Sequence, residues 1–260
     1  MARERLLWGN ASEWLNDKYP PIPRFVCACT TALEDHRYAH ITARCQELND
    51  IAMTHTSKLT PEQIRDGLSI VAAAVHGQGL NINMVVVGGI VNTMLLHTRQ
   101  STTDVDGFFR TKARTVDTSR VLTAATSAAC KGLGLQEGWL NDDVALYVQD
   151  HALRELYEEA LQQNEIVFHA SGLTVYAAPW RFSLITKVDR LSKAGARPYD
   201  MPDAVAFLGC LIAERGAVPL RREELASWAI EFELPIPSTW VLDALDEAYF
   251  IANGVHGLLG

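Results

Sequence analysis

The sequence predicts an α+β fold: a mixed β-sheet core with helical flanks at both ends. Three observations point there. Strand-like and helix-like segments alternate through the middle of the chain. Helical spacing dominates both ends. Met84–Val87 is a continuous apolar run without alternation, the mark of a strand covered on both faces.

Taken in order, residues 1–17 carry Leu6, Leu7, Trp8, Trp14 and Leu15 in a loosely amphipathic pattern. "KYPPIPRF" (18–25) is proline-rich and reads as an extended connector. Residues 31–53 read as a helix, closing a helical extension over 1–58. Thr60, Pro61 and Gln63 then spell a helix start. Ile64, Leu68, Val71, Ala72 and Val75 follow at helical spacing, and Gly77 and Gly79 end the helix. Gly88-Gly89 breaks the apolar strand. Ile90–His97 reads as a short helix, Asp104–Phe109 as a second strand and Thr118–Gly132 as a helix. Val144–Val148 is expected as a strand and His151–Gln163 as a helix. "EIVFHASGLTVYAAP" (165–179) reads as two strands about a Ser171-Gly172 turn. Pro179 opens a helix to about Lys193. Three more helices are expected at 202–214, 221–232 and 239–251. The expected division is therefore 1–58, an α/β core over 59–197 and a helical region over 198–260.

Composition narrows the function. The 260-residue chain is 48% hydrophobic, enough for a sizeable core. Its net charge of −8 disfavours RNA or DNA as a general partner, because phosphate neutralisation needs Lys and Arg. No apolar run reaches membrane-span length, and MARERLLWGN lacks the features of a secretory leader. Five cysteines (27, 29, 45, 130 and 210), an odd number, suit reduced thiols in a cytoplasmic protein. His36 and His40 share a helix face near Cys27, Cys29 and Cys45. Cys-x-Cys is not the usual zinc spacing, so packing is the favoured reading there.

The chemistry concentrates in "VVVGGIVNTMLLHTRQSTTDVDGFF" (85–109). Strand alternation places Asp104 and Asp106 on one side, with Val105 turned inward. Two carboxylates so close repel unless a cation lies between them. Mg²⁺ is the natural choice, since it prefers hard oxygens and shares its other positions with water and phosphate. Gly88-Gly89 permits close backbone approach to a ligand, and the helix beyond it offers free N–H groups to a phosphate. Two basic segments flank this stretch. Residues 107–131 hold Arg110, Lys112, Arg114, Arg120 and Lys131 against Asp117. Residues 181–197 hold Arg181, Lys187, Arg190, Lys193 and Arg197 against Asp189. Trp139, Trp180, Phe108 and Phe109 lie close by and are expected in the core.

The order strand, Gly-Gly, helix, Thr-x-Asp-x-Asp, strand resembles the DNA polymerase β-like nucleotidyltransferase superfamily. "TRQSTTDVD" (98–106) is similar to its toxin-type (AbiEii-like) and uncharacterised branch. So are "GWLNDDV" (138–144) and "LITKVDRLSKAGARPYDMPDAVAFL" (184–208). The resemblance covers about residues 80–210. It implies a nucleotidyltransferase-like sheet and transfer of a nucleotidyl group from an NTP. Asp104 and Asp106 would hold Mg²⁺ as metal ligands and catalytic residues. Lys187, counted with them among the catalytic residues, would carry positive charge to the phosphates. Gly88, Gly89 and Ser101 or Thr102 would cradle the triphosphate, and Asp200 and Asp203 match the trailing acidic pair, Asp203 counting among the substrate-binding residues.

The pattern also departs. Gly107 stands where an apolar residue is usual, and the gap from Gly89 to Asp104 is slightly long. "GLTVYAAP" (172–179) carries no third carboxylate, for which Asp142 or Asp143 would have to substitute. Two alternatives follow: the same fold repurposed as an isomerase or cyclase for an apolar metabolite, or a non-catalytic binding protein.

Overall fold

The computed structural model describes residues 58–110 and 116–260. The helices expected over 1–17 and 31–53, the proline connector, the Cys27–Cys45 cluster, Lys112 and Arg114 lie outside the described residues.

The first helix, α1 (Pro61–Gly77), starts where its sequence says it should. Thr60 Oγ1 accepts from Gln63 N at 3.3 Å, and Gln63 Oε1 accepts from Thr60 N at 3.0 Å. Both bonds satisfy amides that the first helical turn leaves free. Its stripe of Ile64, Leu68, Val71, Ala72 and Val75 is buried.

Five strands form one mixed sheet: β1 (Ile82–Val87), β2 (Val105–Phe108), β3 (Leu140–Asn141), β4 (Ile166–Ala170) and β5 (Leu173–Ala177), in the order β3-β2-β1-β5-β4. β1 runs antiparallel to β2 and parallel to β5, β2 parallel to β3, and β4 antiparallel to β5. Between them lie α2 (Gly89–Met94), α3 (Val116–Leu133), a 3₁₀ turn (Asp143–Leu146) and α4 (Asp150–Gln163). The β4–β5 turn needs Gly172, whose φ is +95° and whose Cβ position would lie 2.6 Å from the backbone of α1 at both Ala72 O and His76 N.

Both faces of β1 are covered, as its unbroken apolar run implies. Met84 and Val86 join a large apolar cluster that includes residues of α1 and α3. Val85 and Phe108 join a second, with Leu153, Leu156 and Ala160 of α4. Alternation therefore assigns Asp106 and Phe108 to the α4 side of the sheet, and Val105 and Gly107 to the α3 side; Asp104 immediately precedes the strand.

The remaining helices are α5 (Trp180–Leu191), α6 (Asp200–Glu214), α7 (Arg222–Glu231) and α8 (Thr239–Asn253). Two short strands, β6 (Leu220–Arg221) and β7 (Leu258–Leu259), pair in parallel. The large cluster includes Leu184 of α5, Phe207 of α6 and Leu245 of α8, so packed residues lie on both sides of the expected 197/198 boundary. Among the described residues, no helix is long and apolar enough to cross a membrane.

One expectation fails. Val144–Val148 is not a strand; the chain turns into the 3₁₀ helix at Asp143. Asn141 Oδ1 accepts from Asp143 N at 3.1 Å, and Asp142 O accepts from Ala145 N at 3.0 Å. These local bonds close a turn immediately after the two β3 residues that pair with β2.

Candidate functional site

The site assembles at the C-terminal end of β1. Val87, its last residue, lies opposite Asp106 in the β1–β2 ladder, and Asp106 lies opposite Asn141 in the β2–β3 ladder. Gly88 and Gly89 follow directly. Gly88 has φ +69° and ψ −126°, a conformation natural to glycine, and the space its Cβ would take is open. Gly89 has a different reason: a Cβ there would collide with Thr102 Oγ1 and lie 3.3 Å from Arg99 Nη1. Thr102 is itself fixed by paired backbone bonds to Leu59, of 2.6 and 3.0 Å. Ser101 is half-buried on the same loop.

Asn92 holds that loop against α2. Its Nδ2 donates to Gly88 O at 3.2 Å, its Oδ1 accepts the Thr98 hydroxyl at 2.8 Å, and its carbonyl accepts from Thr98 N and Arg99 N. A buried, fully used amide thus ties the glycine turn to Arg99.

Asp104 and Asp106 are half-buried on either side of the fully buried Val105. Burial pushes the Asp106 carboxyl above the ordinary carboxylate range, and the charges of Asp104 and Asp143 push it the same way. A hydrogen bond with the Asn141 side chain and the charge of Arg190 oppose the rise. The Thr103 hydroxyl donates to Asp104 Oδ1 at 3.0 Å. Among the described residues neither aspartate has an ion-pair partner. Two hard carboxylates under mutual repulsion suit Mg²⁺, with water and phosphate completing its shell. Among the described residues no group of three or more His, Cys, Asp or Glu side chains is arranged to hold a metal.

Beside them lies a buried ionic cluster between α5 and α6. Lys187 Nζ donates to Asp200 Oδ1 at 2.9 Å and is 2.7 Å from Asp203 Oδ2. Asp203, fully buried, also takes both arms of Arg99, with Nε–Oδ1 at 2.8 Å. Arg99 stacks on the Tyr199 ring at 3.8 Å. Burial alone would raise the Asp200 carboxyl. The Lys187 ammonium, the Arg197 backbone N–H and Arg190 outweigh it and hold Asp200 below the usual range. Lys187 and Asp203 therefore stand side by side, each committed to the other.

A separate cleft of about 290 Å³ opens on the α3 side of the sheet, lined in part by Met84, Phe109, Leu122, Cys130 and Leu140. It also touches Asn141 and Asp142, but the sheet separates it from the aspartate side chains. Gly107 faces this side; a Cβ there would lie 3.0 Å from Val85 O and 3.1 Å from Met84 Sδ, so the close β1–β2 approach accounts for the glycine. Trp139, Trp180 and Phe108 are buried as expected, while Phe109 only partly packs and faces the cleft.

Sequence reading assigned no role to Asn141, Arg99, Arg190 or Tyr199. Asn141 lay inside the quoted "GWLNDDV" and Arg99 inside "TRQSTTDVD", so the signal was adjacency to the carboxylates. No curated protein and no solved structure matches the chain. Residues 56–225, well over half of it, match the family described as "Domain of unknown function (DUF7582)", and the chain belongs to that family.

Proposed function

We propose that the protein is a metal-dependent nucleotidyltransferase, moving a nucleotidyl group from an NTP to an acceptor. The observation that supports this most is the placement of Asp106 across the ladder from the residue that enters the Gly88-Gly89 turn, with Asp104 just ahead of the same strand. Asp104 and Asp106 would hold Mg²⁺, which when bound would offset charge on the phosphates and on the leaving pyrophosphate. Asn141 lies across the ladder from Asp106, and the Thr103 hydroxyl holds Asp104. Gly88 carries no side chain at the turn, and the space a Cβ would take there is open. The cationic cluster containing Lys187 would set a positive field along one wall.

A thermal-shift series with Mg²⁺ and each NTP tests this reading. Stabilisation that requires both, and that Asp104→Ala abolishes, is the expected result. No shift with any Mg²⁺–NTP pair would overturn it.

The cleft favours a second reading, an isomerase or cyclase built on the same fold. Its partly apolar wall of Met84, Phe109, Leu122 and Leu140 would suit an apolar metabolite. Stabilisation by apolar compounds, with no response to Mg²⁺–NTP, would select it.

A further inference from the structure

The sequence shows two basic segments but not which of their cations are free to meet a ligand. In residues 181–197 most are already spent. Arg181 bridges Glu159 and Glu231. Lys193 pairs with Asp189 at 2.6 Å. Lys187 lies buried between Asp200 and Asp203. Taking Lys187 to a phosphate would strand two buried carboxylates, which is costly.

Arg190 and Arg197 differ. The Arg190 side chain is 45% exposed, and its nearest carboxylate contact is a long 3.5 Å to Asp200 Oδ1, an oxygen already accepting from Lys187. The Arg197 guanidinium donates to a neutral partner, Tyr199 Oη, at 3.0 Å. Its backbone N–H, not its side chain, binds Asp200 Oδ2 at 2.8 Å. The cluster reaches the glycine turn through Arg99, whose Nη1 lies 3.3 Å from where a Gly89 Cβ would stand and which shares Asp203 with Lys187, itself paired with the Asp200 that Arg190 approaches. The cluster as a whole holds four cations (Arg99, Lys187, Arg190, Arg197) against two buried carboxylates (Asp200, Asp203), an excess of two.

We propose that Arg190 and Arg197 form the polyphosphate-binding wall of the site, and that Lys187 is a positioning residue that fixes Asp200 between α5 and α6. Asp200 in turn fixes both arginines: Oδ1 faces Arg190 and Oδ2 holds the Arg197 backbone. Guanidinium forks suit phosphate oxygens, and only weakly committed cations can turn to a ligand without breaking a pair. That the ligand is an NTP rests on the nucleotidyl-transfer reading; the anion wall itself does not.

Calorimetric titration of the full chain with sodium tripolyphosphate at low salt, with and without Mg²⁺, tests this. Wild type is expected to bind, more tightly with Mg²⁺ between the polyanion and the aspartates. Arg190→Gln and Arg197→Gln are each expected to weaken binding about tenfold, with the melting temperature unchanged. Arg190→Lys and Arg197→Lys should recover part of the loss. Lys187→Met should lose binding together with stability, and Lys187→Arg, which keeps a cation between the carboxylates, should recover part of both.

Binding unaffected by the double glutamine variant would overturn the proposal. So would a glutamine variant that loses binding only because it melts early. If tripolyphosphate fails to bind while Asp104-dependent stabilisation by Mg²⁺–NTP persists, the anion wall is wrong and the transferase reading stands. If arginine-dependent binding appears without any Mg²⁺–NTP response, the wall stands and the transferase reading falls.

Discussion

Asp106 stands directly across the β1–β2 ladder from Val87, the last residue before the Gly88-Gly89 turn. Antiparallel pairing thus brings the end of one strand and the start of the next to the same edge, so carboxylates and glycines separated by some fifteen residues become neighbours.

Asp106 should respond to acid in a definite direction. Its folded-state pKa is raised, so the proton is held more tightly in the folded chain. The stability this gives is complete below the ordinary carboxylate pKa of about 4 and is lost as pH rises through the raised value. Without metal, Asp106→Asn should therefore melt higher than wild type near pH 7, with the gap closing toward about pH 4. Melting curves across that range check it; a variant that melts lower at neutral pH would contradict the assignment. Mg²⁺ affinity of the wild type should fall over the same interval.

Lys187 holds two buried carboxylates. Lys187→Met should cost about 3–5 kcal/mol, because it strands charge rather than merely losing a contact. Adding Asp200→Asn should return part of this, while Arg99 still neutralises Asp203. Urea midpoints of the single and double variants measure the coupling.

Gly88 and Gly89 should fail differently when replaced. At Gly89 the obstacle is the Thr102 hydroxyl, so Gly89→Ala should cost about 1–3 kcal/mol and be partly relieved by Thr102→Ala. At Gly88 space is open and the backbone is the obstacle. Gly88→Ala should cost about 1–3 kcal/mol, with no rescue by Thr102 changes. Chemical denaturation of the four chains separates steric from conformational cost.

Cys130 lines the cleft, and its thiol is pushed above the ordinary range by burial and then by Glu137. Alkylation followed by peptide mapping should show slow labelling of Cys130 at neutral pH, rising as pH passes the usual thiol range. A compound bound in the cleft should slow labelling further.

Much of this fold could be read from local chemistry. Gly172 marks its turn locally although α1 also presses on it, and the Thr60–Gln63 cap and the apolar run Met84–Val87 each have a short-range cause in neighbouring residues. β3, β6 and β7 do not: two residues carry no periodicity, and each pairs with a partner distant in sequence. The 3₁₀ turn was hidden because Val144 and Val148 favour extension, while Asn141 and Asp142 decide the local hydrogen bonds. The site shows the same division. Asp104 and Asp106 announce themselves by spacing along one strand. The commitment of Lys187 to Asp200 and Asp203 depends on how two helices dock, which a pattern of charges does not encode.

The two residues of β3 connect compartments that the sheet otherwise keeps apart. Leu140 forms part of the cleft wall, and its neighbour Asn141 pairs with Asp106 in the β2–β3 ladder. A strand of two residues, paired on one edge alone, thus borders the cleft and the carboxylates at once.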